Sequence, residues 1–347
     1  MPSPKVFITG ATGYIGGDFL YIVANAHPDW QLSALIRNKD KEVQVTSQYP
    51  RVRVVQGDLD STDVIENEVK DADIVLHFAN CDHVASATAI AKGAQQHTSE
   101  RPVWIIHTSG TSILSIEDQR ACSYGIERTK EYNDWEGVSE LVNLPADAVH
   151  RNVDEIILGA SKCNPTAVKT AIVCPPTIYG PGRGPGNQKS IQAYLLAAAV
   201  LKRKRGFLVG AGENVWHQVH IQDLSKIYMI LAESAAAGGG KATWNEEGYY
   251  LAENGPFLWG DIQRAVAQAA FDMRLIPSPE VEELNDAARI AEIFPAAIYA
   301  WGSNSRGHAI RARKLFDWDP KLPKLIELVQ RIVEIEATDS GLLPMSL

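Results

Sequence analysis

The stretch KVFITGATGYIGG, residues 5–17, constrains this chain more than any other segment. A β-branched run leads into Gly10, Gly13 and Gly16, and Ile15, Phe19, Ile22 and Val23 then recur on one helical face. The pattern is a strand, a tight turn and a helix. One glycine permits positive φ in the turn, the second lets the backbone approach a pyrophosphate, and the third lets the helix close on the strand. The free N–H groups of the helix start face the anion. The spacing predicts a dinucleotide site built from Gly10, Thr12, Gly13, Tyr14, Ile15 and Gly16.

Further strands are predicted at 31–37, 52–58, 72–79, 103–110 and 169–176, alternating with helical patterns. That alternation is how a parallel sheet with helical crossovers is written. The expected fold is α/β, a Rossmann-type doubly wound parallel sheet with a smaller C-terminal substrate-binding lobe. Residues 1–178, with about 218–243 returning, form the nucleotide domain, and 179–217 with 244–347 form the lobe. With 347 residues and 45% hydrophobic content there is enough apolar material for a large core. A net charge of -9, from 33 basic against 42 acidic residues, argues against nucleic acid or an anionic membrane as partner. The longest apolar run, AYLLAAAVL, is too short for a bilayer span, and the first residues do not read as a secretory leader. KRKR at 202–205 reads as the charged end of an amphipathic helix. Cys81, Cys122, Cys163 and Cys174 lack metal-ligand spacing, so the expectation is free thiols, no metal and a cytoplasmic location.

The second strand ends in ALIRNKDK, where a carboxylate would bind a ribose 2′-hydroxyl. Arg37, with Lys39 nearby, is instead suited to a 2′-phosphate. NADP(H) is therefore expected over NAD(H).

Several ordered segments resemble the extended short-chain dehydrogenase/reductase family of NAD(P)-dependent epimerases and dehydratases, over nearly the whole chain. TGATGYIGG is similar to the family's glycine loop, GDL at 57–59 to its adenine-contacting turn, and HFAN at 77–80 to the cofactor-facing end of its fourth strand. CPPTIYGPGR (174–183), HQVHIQDLSKIY (217–228) and RARKLFDWDP (311–320) resemble its later signatures. The resemblance implies cofactor contacts from Asp58, Leu59, Ala79, Asn80, Thr108, Ser109, Pro175 and Thr177. It also implies a small-molecule substrate and a homodimer through the fourth and fifth helices.

The family's reaction needs a Ser or Thr, a Tyr, and a Lys four residues after the Tyr. None of the eleven tyrosines here has such a lysine. Counting back without gaps from CPP, Arg151 takes the Lys position and Asp147 the Tyr position, while Gly110 stands where the Ser or Thr is expected. Asp147, His150, Arg151 and Asp154 fall at i, i+3, i+4 and i+7 and would share one helical face. That stripe is either a set of solvated ion pairs or a rebuilt site. As a site, Arg151 would hold the nicotinamide ribose, while His150, with an ordinary pKa near 6.5, would move the proton and Asp154 would orient it. The insertion between Gly110 and Asp147 supplies a second candidate, Tyr132, and Ser109 or Thr111 is placed to bind a substrate oxygen. These residues point to an atypical NADP-dependent oxidoreductase or epimerase acting on a small hydroxyl or carbonyl compound. The missing set also leaves open a catalytically silent NADP(H)-sensing or interaction protein, as in NmrA-like relatives, and a redox-neutral isomerase or lyase.

Overall fold

Short runs rich in β-branched residues become the centre of the molecule. In the computed structural model, which describes residues 3–344, they form β1 (Lys5–Thr9), β2 (Gln31–Ile36), β3 (Arg53–Gln56), β4 (Ile74–His77) and β5 (Val103–Thr108). Val6, Phe7, Ile8, Ile74, Val75, Ile105 and Ile106 are all essentially inaccessible, as strands covered on both faces must be. The main sheet runs 249–251, 168–174, β5, β4, β1, β2, β3, and every pairing in it is parallel. The strand order reverses between β1 and β4, which opens a crevice at their carboxyl ends.

Helices α1 (Tyr14–Ala26), α2 (Lys39–Gln48), α3 (Thr62–Asp71) and α4 (Val84–Ala94) cross between these strands. Consecutive residues of β5 show which helix covers which face. The Thr108 hydroxyl lies 2.7 Å from Tyr228 OH on the helix Ile221–Ala236, while His107 Nε2 lies 3.5 Å from Asp154 on the helix Arg151–Cys163. Their side chains point to opposite sides, as pleating requires.

A second apolar cluster joins the helices Gln192–Arg203, Trp259–Asp272 and Leu325–Asp339 around Trp259 and Trp301. The boundary differs from the sequence expectation, which assigned all of 244–347 to this lobe. Tyr249–Leu251 is instead the seventh strand of the main sheet, paired with Ile172–Cys174, and Ala309, Ala312 and Trp318 also pack on the first core. The reason is that Val168–Cys174 would otherwise leave a largely apolar strand with an unpaired edge, and the YYL segment closes it. Among the described residues no helix is long and apolar enough to cross a membrane.

One buried carboxylate ties the two lobes together. Asp18 on α1 is inaccessible and accepts from Arg183 N and Nε at 2.9 Å, from Arg183 Nη2 at 2.6 Å and from Ser225 Oγ at 2.6 Å. Arg183 sits on the segment that enters the second lobe, so this ion pair ties that segment to α1. Asp18→Ala leaves Arg183 without its partner and is expected to cost about 3 kcal/mol, read from equilibrium chemical denaturation.

Candidate active site

The nucleotide half of the site follows from the glycine turn. Gly10 has φ +77, and a Cβ there would lie 2.7 Å from the Phe78 carbonyl carbon, so no other residue fits. Gly13 N–H donates to the Gly10 carbonyl at 2.8 Å, and α1 begins at Tyr14 with its first N–H groups facing the crevice. Gly10, Thr12 and Gly13 open into a cavity of about 700 Å³ that passes Arg37 and reaches Asp58, Leu59, Ala79 and Asn80. Asp58 is held below the usual carboxylate range by the Ser61 hydroxyl. A cradle that a Cβ would fill, a helix start and a channel of this size fit a dinucleotide.

At the ribose end two cations line the cavity, Arg37 and Lys41. Lys39 does not: its ammonium is turned outward, 3.2 Å from Glu42, because Asn38 caps α2 and makes Lys39 the first helical residue. Lys41 takes the position expected of Lys39.

Phe78 is shared with a second cavity of about 560 Å³, which also holds Tyr14, Ile15 and His150 and extends toward the second lobe. The Tyr14 hydroxyl donates to the Gly180 carbonyl at 2.6 Å, fixing the ring at the junction. His150 has φ +68, a left-handed conformation that costs a β-carbon residue about 1–3 kcal/mol. It is the N-cap of the helix Arg151–Cys163, so its side chain leaves the chain before the helical phase begins. The Nδ1 atom lies 2.7 Å from Asp82 Oδ1 and 3.4 Å from Cys81 Sγ. Asp82 is presented by an Asx turn in which its N–H donates to Asn80 Oδ1 at 3.0 Å. On the other side of the ring, a Cβ built on Gly110 would lie 3.2 Å from His150 Nε2. The imidazole covers the space that a serine or threonine would need.

Burial alone would push the His150 imidazole down, but the hydrogen bonds to Asp82 and Cys81 outweigh it and raise the pKa to about 10. The reciprocal effect, led by the His150 hydrogen bond, lowers Asp82. The ring is therefore an imidazolium at neutral pH with its Nε2–H over Gly110. Since the folded value lies above the ordinary one, this contact stabilises the fold fully below pH 6.5 or so and is lost as pH rises through about 10.

The rest of the sequence-derived stripe does not share this face. Asp147 precedes the helix, is exposed and pairs with Arg120 at 2.6 Å. Arg151 is buried away from both cavities, its Nη2 donating to the Val142 carbonyl at 2.9 Å and its Nε lying 3.2 Å from Glu155. It therefore replaces the family's lysine in position but not in contact. Asp154 is inaccessible, accepting from Ser109 Oγ at 3.0 Å and Tyr249 OH at 3.2 Å, with His107 beside it. It anchors the helix to the sheet, and Asp82 does the orienting expected of Asp154. The physical reason for the shift is the left-handed turn: a stripe phased from Asp147 assumes a helix that starts only at Arg151.

Ser109 and Thr108 likewise point into the two packing faces, toward Asp154 and Tyr228. Thr111 is buried, its N–H donating to the Pro175 carbonyl at 3.0 Å, which places Pro175 in a backbone tie while Pro176 lines the cavity. Thr177 is wholly buried in the strand Thr177–Tyr179. Tyr132 is locked in a two-residue ladder with Gly307, with Lys130 over its ring, and burial raises its phenol to about 12. Such an anchored side chain does not swing over a nicotinamide. Cys174 is inaccessible among Asp154 and Tyr249, and burial pushes its thiol up. Cys81, Asp82 and His150 place three ligating atoms within 4.8 Å, an arrangement that the cysteine spacing did not reveal. Asp82 had one sequence signal, an acid two residues beyond the HFAN segment.

The NmrA-like family matches residues 2–104, the segment that carries the glycine turn and the first cavity. The oxidase ucsJ from Acremonium sp is 34% identical over 345 residues, spanning 97% of this chain and 99% of that protein. The dTDP-glucose 4,6-dehydratase of Bacillus anthracis superposes with a TM-score of 0.67 over 98% of each chain at 14% identity. The UDP-glucose 4-epimerase of Thermotoga maritima gives 0.64 over 98% of this chain and 100% of its own at 12% identity. The chain belongs to the extended short-chain dehydrogenase/reductase family, and it carries that family's nicotinamide-dinucleotide fold of oxidoreductase type.

Titrating His150 by NMR is expected to show a charged ring up to about pH 10. In Asp82→Asn the burial penalty is no longer outweighed, and the midpoint should fall by several units.

Proposed function

We propose that the protein is an NADP(H)-dependent oxidoreductase in which His150 performs the proton transfer that the family assigns to tyrosine. The observation that carries this reading is the imidazole clamped by Asp82 with Nε2 over Gly110. A bound nicotinamide supplies or accepts a hydride at the substrate carbon. The protein's part is to hold a small carbonyl or hydroxyl compound in the second cavity with its oxygen at Nε2. In the reductive direction the imidazolium gives its Nε2 proton to the carbonyl oxygen as the carbon gains hydride, and Asp82 keeps hold of the Nδ1–H. The ring is left neutral and is recharged from solvent. In the oxidative direction the neutral ring must take the hydroxyl proton, so that reaction needs the other charge state. A preference for NADP(H) is supported by Arg37 and Lys41 at the ribose end of the first cavity, where a 2′-phosphate needs cations.

A silent cofactor sensor and a redox-neutral isomerase or lyase both use the same first cavity. The strained backbone at His150 favours catalysis over either a sensor or a packing role, since such strain persists where the geometry is needed. The similarity to ucsJ, which is named an oxidase, favours redox chemistry.

The experiment is NADPH consumption with a panel of aldehydes and ketones, and the reverse reaction with alcohols and NADP. His150→Gln should lower kcat/KM for reduction by about 10²–10⁴-fold while NADPH affinity is retained. The pH profile follows from the sign of the shift: reduction is flat through neutrality and falls as pH approaches about 10, whereas alcohol oxidation rises over the same range. Silence across the panel with cofactor bound contradicts the proposal. For cofactor choice, Arg37→Ala should weaken NADPH binding by roughly tenfold and leave NADH nearly unchanged, as measured by fluorescence titration.

A further inference from the structure

The second cavity carries information about what it accepts. Its wall away from the cofactor is apolar, and two large side chains that line it stand unusually open to solvent, Ile191 at 68% and Tyr299 at 47% exposed. Val149 on the facing segment is exposed as well. Contiguous exposed apolar groups in a concave site mark a ligand surface rather than ordinary scatter. Tyr124 stands edge-on to Tyr299 with ring centroids 5.6 Å apart, which fixes the aromatic wall in place.

Charge sharpens the point. Apart from His150, the only cationic side chain lining this cavity among the described residues is Lys189. Its ammonium lies 2.7 Å from Glu336 and also contacts Asp339, so its charge is already balanced by two carboxylates. Arg183, the nearby guanidinium on the lobe-entry segment, is bound to Asp18. His150 is itself paired with Asp82. A diphosphate placed here would lose water and meet no free cation, with Glu336 and Asp339 close by to repel it. Polar side chains also line this cavity, among them Ser112, Gln119, Asn187 and Gln192, and one of them is unpartnered. Ser190 lines the cavity, is nine-tenths buried, and its hydroxyl has no hydrogen-bond partner among the described residues. Such a group is costly unless a ligand completes it.

We infer that the substrate is an uncharged, largely apolar carbonyl or hydroxyl compound, its reacting oxygen at His150, its apolar body between Ile191 and Tyr299, and a second polar atom accepted by Ser190. Nucleotide sugars are excluded from this cleft. The inference rests on the oxidoreductase reading above and concerns only what fills the second cavity.

The test separates the two. Binding to the NADP-loaded protein is measured by calorimetry for three probes: benzylacetone, its para-carboxylated analogue and UDP-glucose. Turnover with NADPH is measured in parallel. The expected result is that benzylacetone binds at least tenfold more tightly than the carboxylate, with UDP-glucose not binding at all. Ile191→Lys should reverse the preference between the first two, while NADPH affinity stays unchanged. For hydroxylated analogues of benzylacetone that reach Ser190, Ser190→Ala should raise KM several-fold with kcat little altered. Benzylacetone binding without turnover would overturn the redox reading and leave the substrate class standing. Tighter binding of the carboxylate or of UDP-glucose, or indifference to Ile191→Lys, would overturn the substrate class whatever the turnover.

Discussion

The absence of a side chain at Gly110 is the constraint on which the site depends. A Cβ at that position would lie 3.2 Å from His150 Nε2, so a larger residue would press on the imidazole and force it to shift by a few tenths of an ångström. With the ring seated there, Asp82 is within 2.7 Å, and the hydrogen bonds keep the imidazole charged where burial alone would neutralise it. The strain in the His150 backbone belongs to the same arrangement, because only a left-handed turn brings the ring off the helix start and over the end of β5.

Much of the framework was legible in the residues. β1 to β5 fall within two residues of the expected ends, because β-branched runs bounded by glycine and polar residues have few alternatives in a buried parallel sheet. The glycine turn was equally plain, since it answers a local demand for close backbone approach. The strand Tyr249–Leu251 was not visible: three residues in a Trp- and Pro-rich region show no periodicity, and their pairing is decided by the edge they cover.

The candidate site around His150 was only half legible. His150 was identifiable as the titratable group in the right neighbourhood, but its partner Asp82 is 68 residues away along the chain and belongs to another loop. The stripe logic that joined His150 to Arg151 and Asp154 assumed continuous helical phase, and one residue with positive φ breaks it. As a result Asp154 and Arg151 serve packing, Asp147 serves a surface ion pair, and the histidine alone reaches the cavity. The two cavities meet at Phe78, and His150 lines the second of them.

The measurement that bears most directly on the rebuilt site is a crystal structure of the protein with NADP and a bound alcohol. The account requires His150 Nε2 within about 2.6–3.2 Å of the alcohol oxygen, over nicotinamide C4, with Asp82 still on Nδ1. A ring turned away from the ligand, or a nicotinamide seated on some other face of the crevice, would contradict it.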